Sequence, residues 1–335
     1  MNRRTPAART AVGTAALLFG TSGVAGQLLA PGLAPATAAG WRVLIGGGAL
    51  VVLSVVAKQA PWRYSLRRPA IVIGGLAFLG FQLGFFMAVG RLGVAAATIV
   101  TIGTGPIVAG MLDRLRRGTR LRPRWWIGVG LAIAGITVMT GMNGVRLDPV
   151  GVASAVAAGC CFPVFGDAIR DLTADRPAMT AIATVFGAAT LPAALLLAVA
   201  GTDPFSTPGT TATLLYLGLV TTAVAYLLWS TGLASLSLGD TVTLTMLEPV
   251  AATVLAVVVL HEAAGLATAV GIAAALTGVW IATAPSRTGR NQPASSAAHG
   301  GFAPAREQVI ADTLDANVSA ATSPSTVSVS RRAPR

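Results

Sequence analysis

Two ionisable side chains stand inside long apolar runs: Arg42 in "PATAAGWRVLIGGGALVVL" and Glu248 in "TLTMLEPVAATVLAVVVL". At such a place a carboxyl can exchange a proton or bind a cationic group. A guanidinium can bind an oxyanion. Ionisable groups at membrane depth are costly to keep and are functional candidates by default. Glu248 is followed directly by Pro249. A proline inside a helix removes one backbone donor and disturbs the turn before it, so freed carbonyls add to the polar spot. The pair therefore reads as a place to bind a cation or exchange a proton with a substrate. The plainer alternative is a structural carboxylic acid bonded to a neighbouring helix.

Other candidates are weaker. Phe81, Phe85, Tyr226 and Trp229 are aromatic residues that line a cavity or simply pack, and Tyr226 adds a hydroxyl. Gln82 and Gln27 are neutral polar companions. Thr101, Thr104, Thr243 and Thr245 supply hydroxyls near prolines, although threonines in apolar helices often bond their own backbone. Catalytic and metal chemistry find little support. Cys160 and Cys161 are adjacent, without a CxxC spacing. His261–Glu262 lacks the second histidine of a zinc motif. The acidic stretch Asp167 to Asp175 reads as a solvated connector. No cofactor, metal or catalytic residue is expected.

The elements that must position these residues follow from composition. The chain has 335 residues, 54% hydrophobic and 11% charged. A soluble chain carries about 25% charged residues, so most of this surface faces lipid. The net charge of +12 would suit nucleic acid only with a soluble basic face, and none is visible. Ten apolar segments lie near 10–30, 35–57, 70–90, 92–112, 125–142, 150–168, 177–200, 210–234, 238–260 and 265–284. Each is long enough to cross a core of about 30 Å as a helix. The expected fold is an all-α integral membrane protein.

Arginine placement orients it. With the amino terminus inside, the outer connections carry only Arg91 and Arg146, and the inner ones hold the rest. Both termini then face the cytoplasm, in a multi-pass protein of the cytoplasmic (plasma) membrane. The basic, apolar start also has the form of a signal peptide, but the repeat described next needs that segment as a span. Residues 286–335 are rich in Ala, Ser, Pro and Thr and are expected to be a disordered cytoplasmic tail.

The offset that carries Pro106 onto Pro249 also carries Phe19 onto Phe162, Gly75 onto Gly218, Thr98 onto Thr241, Gly128 onto Gly271 and Gly135 onto Gly278. Residues 1–9 then precede a first five-helix unit at 10–142, and a second follows at 150–284. Five spans is an odd number, so the second copy enters the membrane inverted. Inverted repeats build a central cavity that opens to either side. Small residues such as Gly128, Ala132 and Gly135 suit close helix packing. Pro106 is expected to kink span four as Pro249 kinks span nine, but Gly105 precedes it where Glu248 precedes Pro249. Asp240 reads as the N-cap of span nine. Counting from there, Glu248 lies about eight residues inside, or ~12 Å deep, and Arg42 enters from the other side to ~8 Å. Arg42 is therefore expected to reach headgroups or helix-end carbonyls rather than pair with Glu248.

This arrangement resembles the EamA-type transporters of the drug/metabolite transporter superfamily. The resemblance covers about residues 9–284 and rests on the two five-span halves, Arg42, Pro106, Pro249, Glu262 and the Gly271/Gly278 pattern. Thr119, the first-half counterpart of Glu262, departs from it by lacking an acid. The resemblance implies a secondary transporter, exporting a small metabolite, amino acid or drug through a central cavity. Proton antiport is consistent with Glu248. A membrane-embedded enzyme or a non-transporting sensor are the competing readings.

Overall fold

Proline and polar caps punctuate the chain where helices begin. Pro69, Pro149 and Pro208 each occupy the first turn of a helix, where a missing N–H has no intrahelical partner. Asp148, Thr207 and Ser237 accept backbone N–H groups as N-caps. Ser237 takes the capping role expected of Asp240, whose own backbone N–H donates to the Ser237 hydroxyl at 2.9 Å.

The structure, a computed structural model, describes residues 4–29, 35–59, 68–119, 121–140, 148–200, 207–261 and 264–284. The expectations for Arg146, Glu262 and the tail after Ser286 fall outside these residues. All regular structure among them is helical. The first half comprises α1 (Arg4–Leu29), α2 (Pro35–Val56), α3 (Pro69–Leu92), α4 (Val94–Arg117) and α5 (Pro123–Thr140). The second begins with α6 (Pro149–Thr173) and α7 (Ala178–Ala200). Span eight is divided into α8 (Pro208–Gly218), a π-helical segment (Leu219–Val224) and α9 (Ala225–Leu233). Span nine is divided into α10 (Leu238–Thr245) and α11 (Leu247–Val259), and α12 (Leu266–Thr283) is the tenth. Eight spans are long and apolar enough to cross a membrane, and the apolar part of α5 is shorter. The 26-residue α1 is less apolar and earns its place by packing.

That packing follows a two-fold rule. α5 packs on α12 and α2 on α7, each span against its own counterpart in the other half. α3 packs on α6 as span eight packs on α1, and α4 packs on α6 as span nine packs on α1. Exchanging the halves maps the pattern onto itself. The two halves interleave, so residues Met1–Ala284 form one unit. The α5–α12 seam is the closest contact. A Cβ on Gly135 would meet the Gly271 carbonyl oxygen at 2.6 Å, and one on Gly128 would meet that of Gly278 at 2.6 Å. These two contacts are images of each other under the repeat.

The prolines of spans four and nine behave differently. Span nine breaks at Met246, three residues before Pro249. Span four runs unbroken through Pro106. The Thr243 and Thr245 hydroxyls both back-bond to carbonyls one turn earlier, at 2.7 and 3.0 Å, just ahead of the Met246 break. Their span-four counterparts are Val100 and Ile102. Back-bonding hydroxyls bend helices; ahead of its proline span nine carries three, with Thr241, where span four carries one, Thr104 to the Val100 carbonyl at 2.7 Å.

Candidate functional site

Arg42 is delivered by a close helix crossing. A Cβ on Gly46, one turn further along α2, would lie 2.6 Å from the Gly218 carbonyl oxygen of span eight. Glycine at both positions lets the backbones approach. Arg42 Nε then donates to the Thr222 hydroxyl at 3.1 Å, and Nη2 to the Thr221 carbonyl at 3.4 Å. These acceptors lie in the π-helical segment, in the middle of a span rather than at the helix end expected. Single π turns recur at functional sites because they widen the backbone. The Thr221 and Thr222 hydroxyls both donate to the Leu217 carbonyl, at 2.9 and 2.8 Å.

Glu248 occupies the first turn of α11. The break at Met246, whose N–H turns back to the Thr243 carbonyl at 3.1 Å, creates a helix start inside the span. Two consequences follow. Pro249 falls in the new first turn, so its missing N–H costs little. The positive end of the α11 dipole meets the Glu248 carboxylate. The Glu248 side chain is half-buried. Among the described residues it has no hydrogen bond and no ion pair.

Tyr226 is buried in an aromatic cluster, 4.8 Å from Phe19, 5.2 Å from Phe186 and 5.4 Å from Phe78 between ring centroids. Its hydroxyl has no hydrogen-bond partner among the described residues. Trp229 is fully buried. Its indole N–H donates to the Thr245 hydroxyl at 3.1 Å, clamping α9 to the last residue before the break. Phe81 and Phe85 are half-buried neighbours on α3, 6.2 Å apart. Gln82 is buried, and its amide nitrogen has no partner among the described residues. It lines a narrow crevice with Ala39, Gly40, Val43 and Phe86. Pro106 is buried within α4. The fold thus sets Arg42 on the π-helical segment of span eight and joins Trp229 to Thr245.

Two features escaped the sequence reading. One is the Thr221–Thr222 pair, whose only signal is two adjacent hydroxyls in an apolar span. The other is the acidic stretch from Asp167, expected to be a solvated connector. α6 continues to Thr173, so Asp167 and Asp171 lie one turn apart on the same helix face. Asp167 is buried and pairs with Arg116 and Arg117 of α4. Asp171 pairs with the same two arginines at 2.8 Å each. Asp113 of α4, fully buried, accepts from Arg170 at 2.7 Å and from the Gly239 N–H of α10 at 2.8 Å. Nearby, Arg68 holds the exposed Asp175 carboxyl below the usual carboxylate range through its hydrogen bonds. Among the described residues no cluster of His, Cys, Asp or Glu is suited to hold a metal ion.

Comparison with known proteins agrees with this architecture. The EamA-like transporter family model matches twice, at residues 10–141 and 148–284. The uncharacterized transporter YwfM of Bacillus subtilis (strain 168) is 31% identical over 290 residues, covering 85% of this chain and 95% of that protein. The uncharacterized transporter YdeK of the same organism is 30% identical over 230 residues, covering 67% of this chain and 76% of that protein. A solved crystal structure shares the fold with a TM-score of 0.71 at 22% identity, covering 82% of this chain and 97% of its own. Two matched halves, packed by the two-fold rule around a shared polar centre, make this chain a member of the EamA-like transporter family, a multi-pass membrane transporter of small molecules.

Proposed function

We propose that the chain is a secondary exporter of a small metabolite, amino acid or drug, working by alternating access, with Glu248 as its proton- or cation-binding group. One observation carries this reading. Glu248 is half-buried at a helix start inside a span and is bonded to no fixed partner among the described residues. A carboxyl so placed is free to take a proton or a cationic group. Arg42, of opposite charge, is bonded to Thr221 and Thr222 rather than to Glu248. Opposite charges held apart suit a substrate with an oxyanion and a cationic group. Gln82, Phe81, Phe85, Tyr226, Trp229, Thr245 and the two prolines complete the proposed binding region. The arginine distribution supports a plasma-membrane protein with both termini inside.

The test is flux into proteoliposomes under an imposed pH gradient, across a panel of metabolites and drugs. Glu248→Gln is expected to lower gradient-driven flux about tenfold or more, while leaving the fold intact. Unchanged flux in this variant would show that Glu248 is a structural carboxyl.

A further inference from the structure

The two ends of the bundle are closed by different chemistry. At the arginine-rich end, α4, α6 and α10 are tied by Asp113 to Arg170 and to the Gly239 N–H, and by Asp167 and Asp171 to Arg116 and Arg117. The repeat carries Asp113, Arg116 and Arg117 onto Ala256, Val259 and Leu260. It carries Asp167, Arg170 and Asp171 back onto Val24, Gln27 and Leu28. Every carboxylate and every arginine of the cluster has an uncharged counterpart at the opposite end.

The packing is asymmetric in the same sense. α4 packs along α10, and no comparable contact joins it to α11. A Cβ on Gly105 of α4 would sit 3.5 Å from the Val242 side chain of α10. Under the repeat, Gly105 maps onto Glu248 and Val242 onto Ile99. The image of the contact now made is therefore Ile99 laid against Glu248, a contact between α4 and α11.

We infer that Asp113 and Asp167 are latch residues of the transport cycle: they hold α4 and α6 on α10 and keep the arginine-rich end shut while the opposite end admits water to Glu248. When the latch parts, α4 leaves α10 and moves onto α11, and Ile99 covers Glu248. An ionic closure suits this role. The half-exposed Arg116 and Asp171 are rehydrated when parted, at small net cost, whereas the buried Asp167 regains water only as α4 and α6 separate. The fully buried Asp113 keeps the closed register specific, because a displaced α10 would leave its carboxylate without the Gly239 N–H. At the opposite end, apolar burial supplies the closing force between α4 and α11, and the exposed Arg91–Asp148 pair there, at 3.4 Å, joins α3 to α6 instead. The latch rests on the alternating-access reading given above and adds to it which end is tied and by which residues.

The test labels single cysteines with a membrane-impermeant thiol reagent, in a full-length chain carrying Cys160→Ser and Cys161→Ser. Val242→Cys reports the arginine-rich end, and Ile99→Cys the opposite one. Each is labelled from its own side, in vesicles of either orientation. Asp113→Asn and Asp167→Asn keep the shape of each side chain and remove only charge. Together they are expected to raise Val242→Cys labelling about tenfold and to lower Ile99→Cys labelling by a similar factor. Asp167→Glu, which retains the charge, is expected to keep the original pattern. Unchanged labelling at both reporters overturns the latch. Increased labelling at both also overturns it, because that is the signature of a loosened bundle. Loss of the pattern in Asp167→Glu as well would assign the effect to packing. Labelling needs no substrate, so its outcome is independent of the flux test on Glu248.

Discussion

At the scale of single residues, Arg42 shows how a charge is kept inside a membrane. Its planar fork donates Nε to the Thr222 hydroxyl and Nη2 to the Thr221 carbonyl at once. Lysine carries the same charge as a point and cannot reproduce that fork. Arg42→Lys is therefore expected to lower proteoliposome flux about tenfold, and Thr222→Val, which removes one acceptor, by a smaller factor. Wild-type flux in Arg42→Lys would show that charge alone is needed. Both Arg42 and Glu248 were legible in the sequence, because an ionisable residue in an apolar run is a local signal. Their partners were not. Thr221 and Thr222 become acceptors only because Gly46 and Gly218 let α2 lie against span eight. Asp167 was misread for the same reason: its arginine partners lie about fifty residues away in sequence, on α4.

At the scale of elements, the two proline-bearing spans separate what a proline permits from what it does. Pro106 is carried inside an unbroken helix, and Pro249 sits just after a break. The break converts the middle of span nine into a helix start, and this is what gives Glu248 its position. The sequence marked both prolines equally, since a back-bonding threonine precedes each and the difference lies in how α10 is held. Trp229 and Gly239 anchor α10 through Thr245 and Asp113. The glycine seam is the element feature most open to test. Gly135→Leu must push α5 off the Gly271 backbone and is expected to cost about 1–3 kcal/mol. Gly130, with open space where its Cβ would go, is expected to accept leucine within about 0.5 kcal/mol. Thermal unfolding in detergent distinguishes the two. Equal melting temperatures would mean that the seam contributes nothing to stability.

At the scale of the whole molecule, the arginine asymmetry supports both termini on the same, cytoplasmic side. A reporter that is active only in the cytoplasm is expected to be active when fused at either end. Activity at one end alone would require an odd number of spans. The sequence by itself determined the all-helical membrane fold, the ten spans, the repeat and the two ionisable residues inside apolar spans. These are properties of composition and period, which each segment carries without reference to its neighbours. Only the tertiary structure decided that Glu248 begins a helix, that Arg42 rests on a π turn, and that three aspartates and three arginines of α4 and α6 are paired rather than solvated. Each of those depends on which faces of distant helices touch. In lipid that choice is made by close packing of small residues and by satisfaction of buried polar groups, not by hydrophobicity, which is the same on every face.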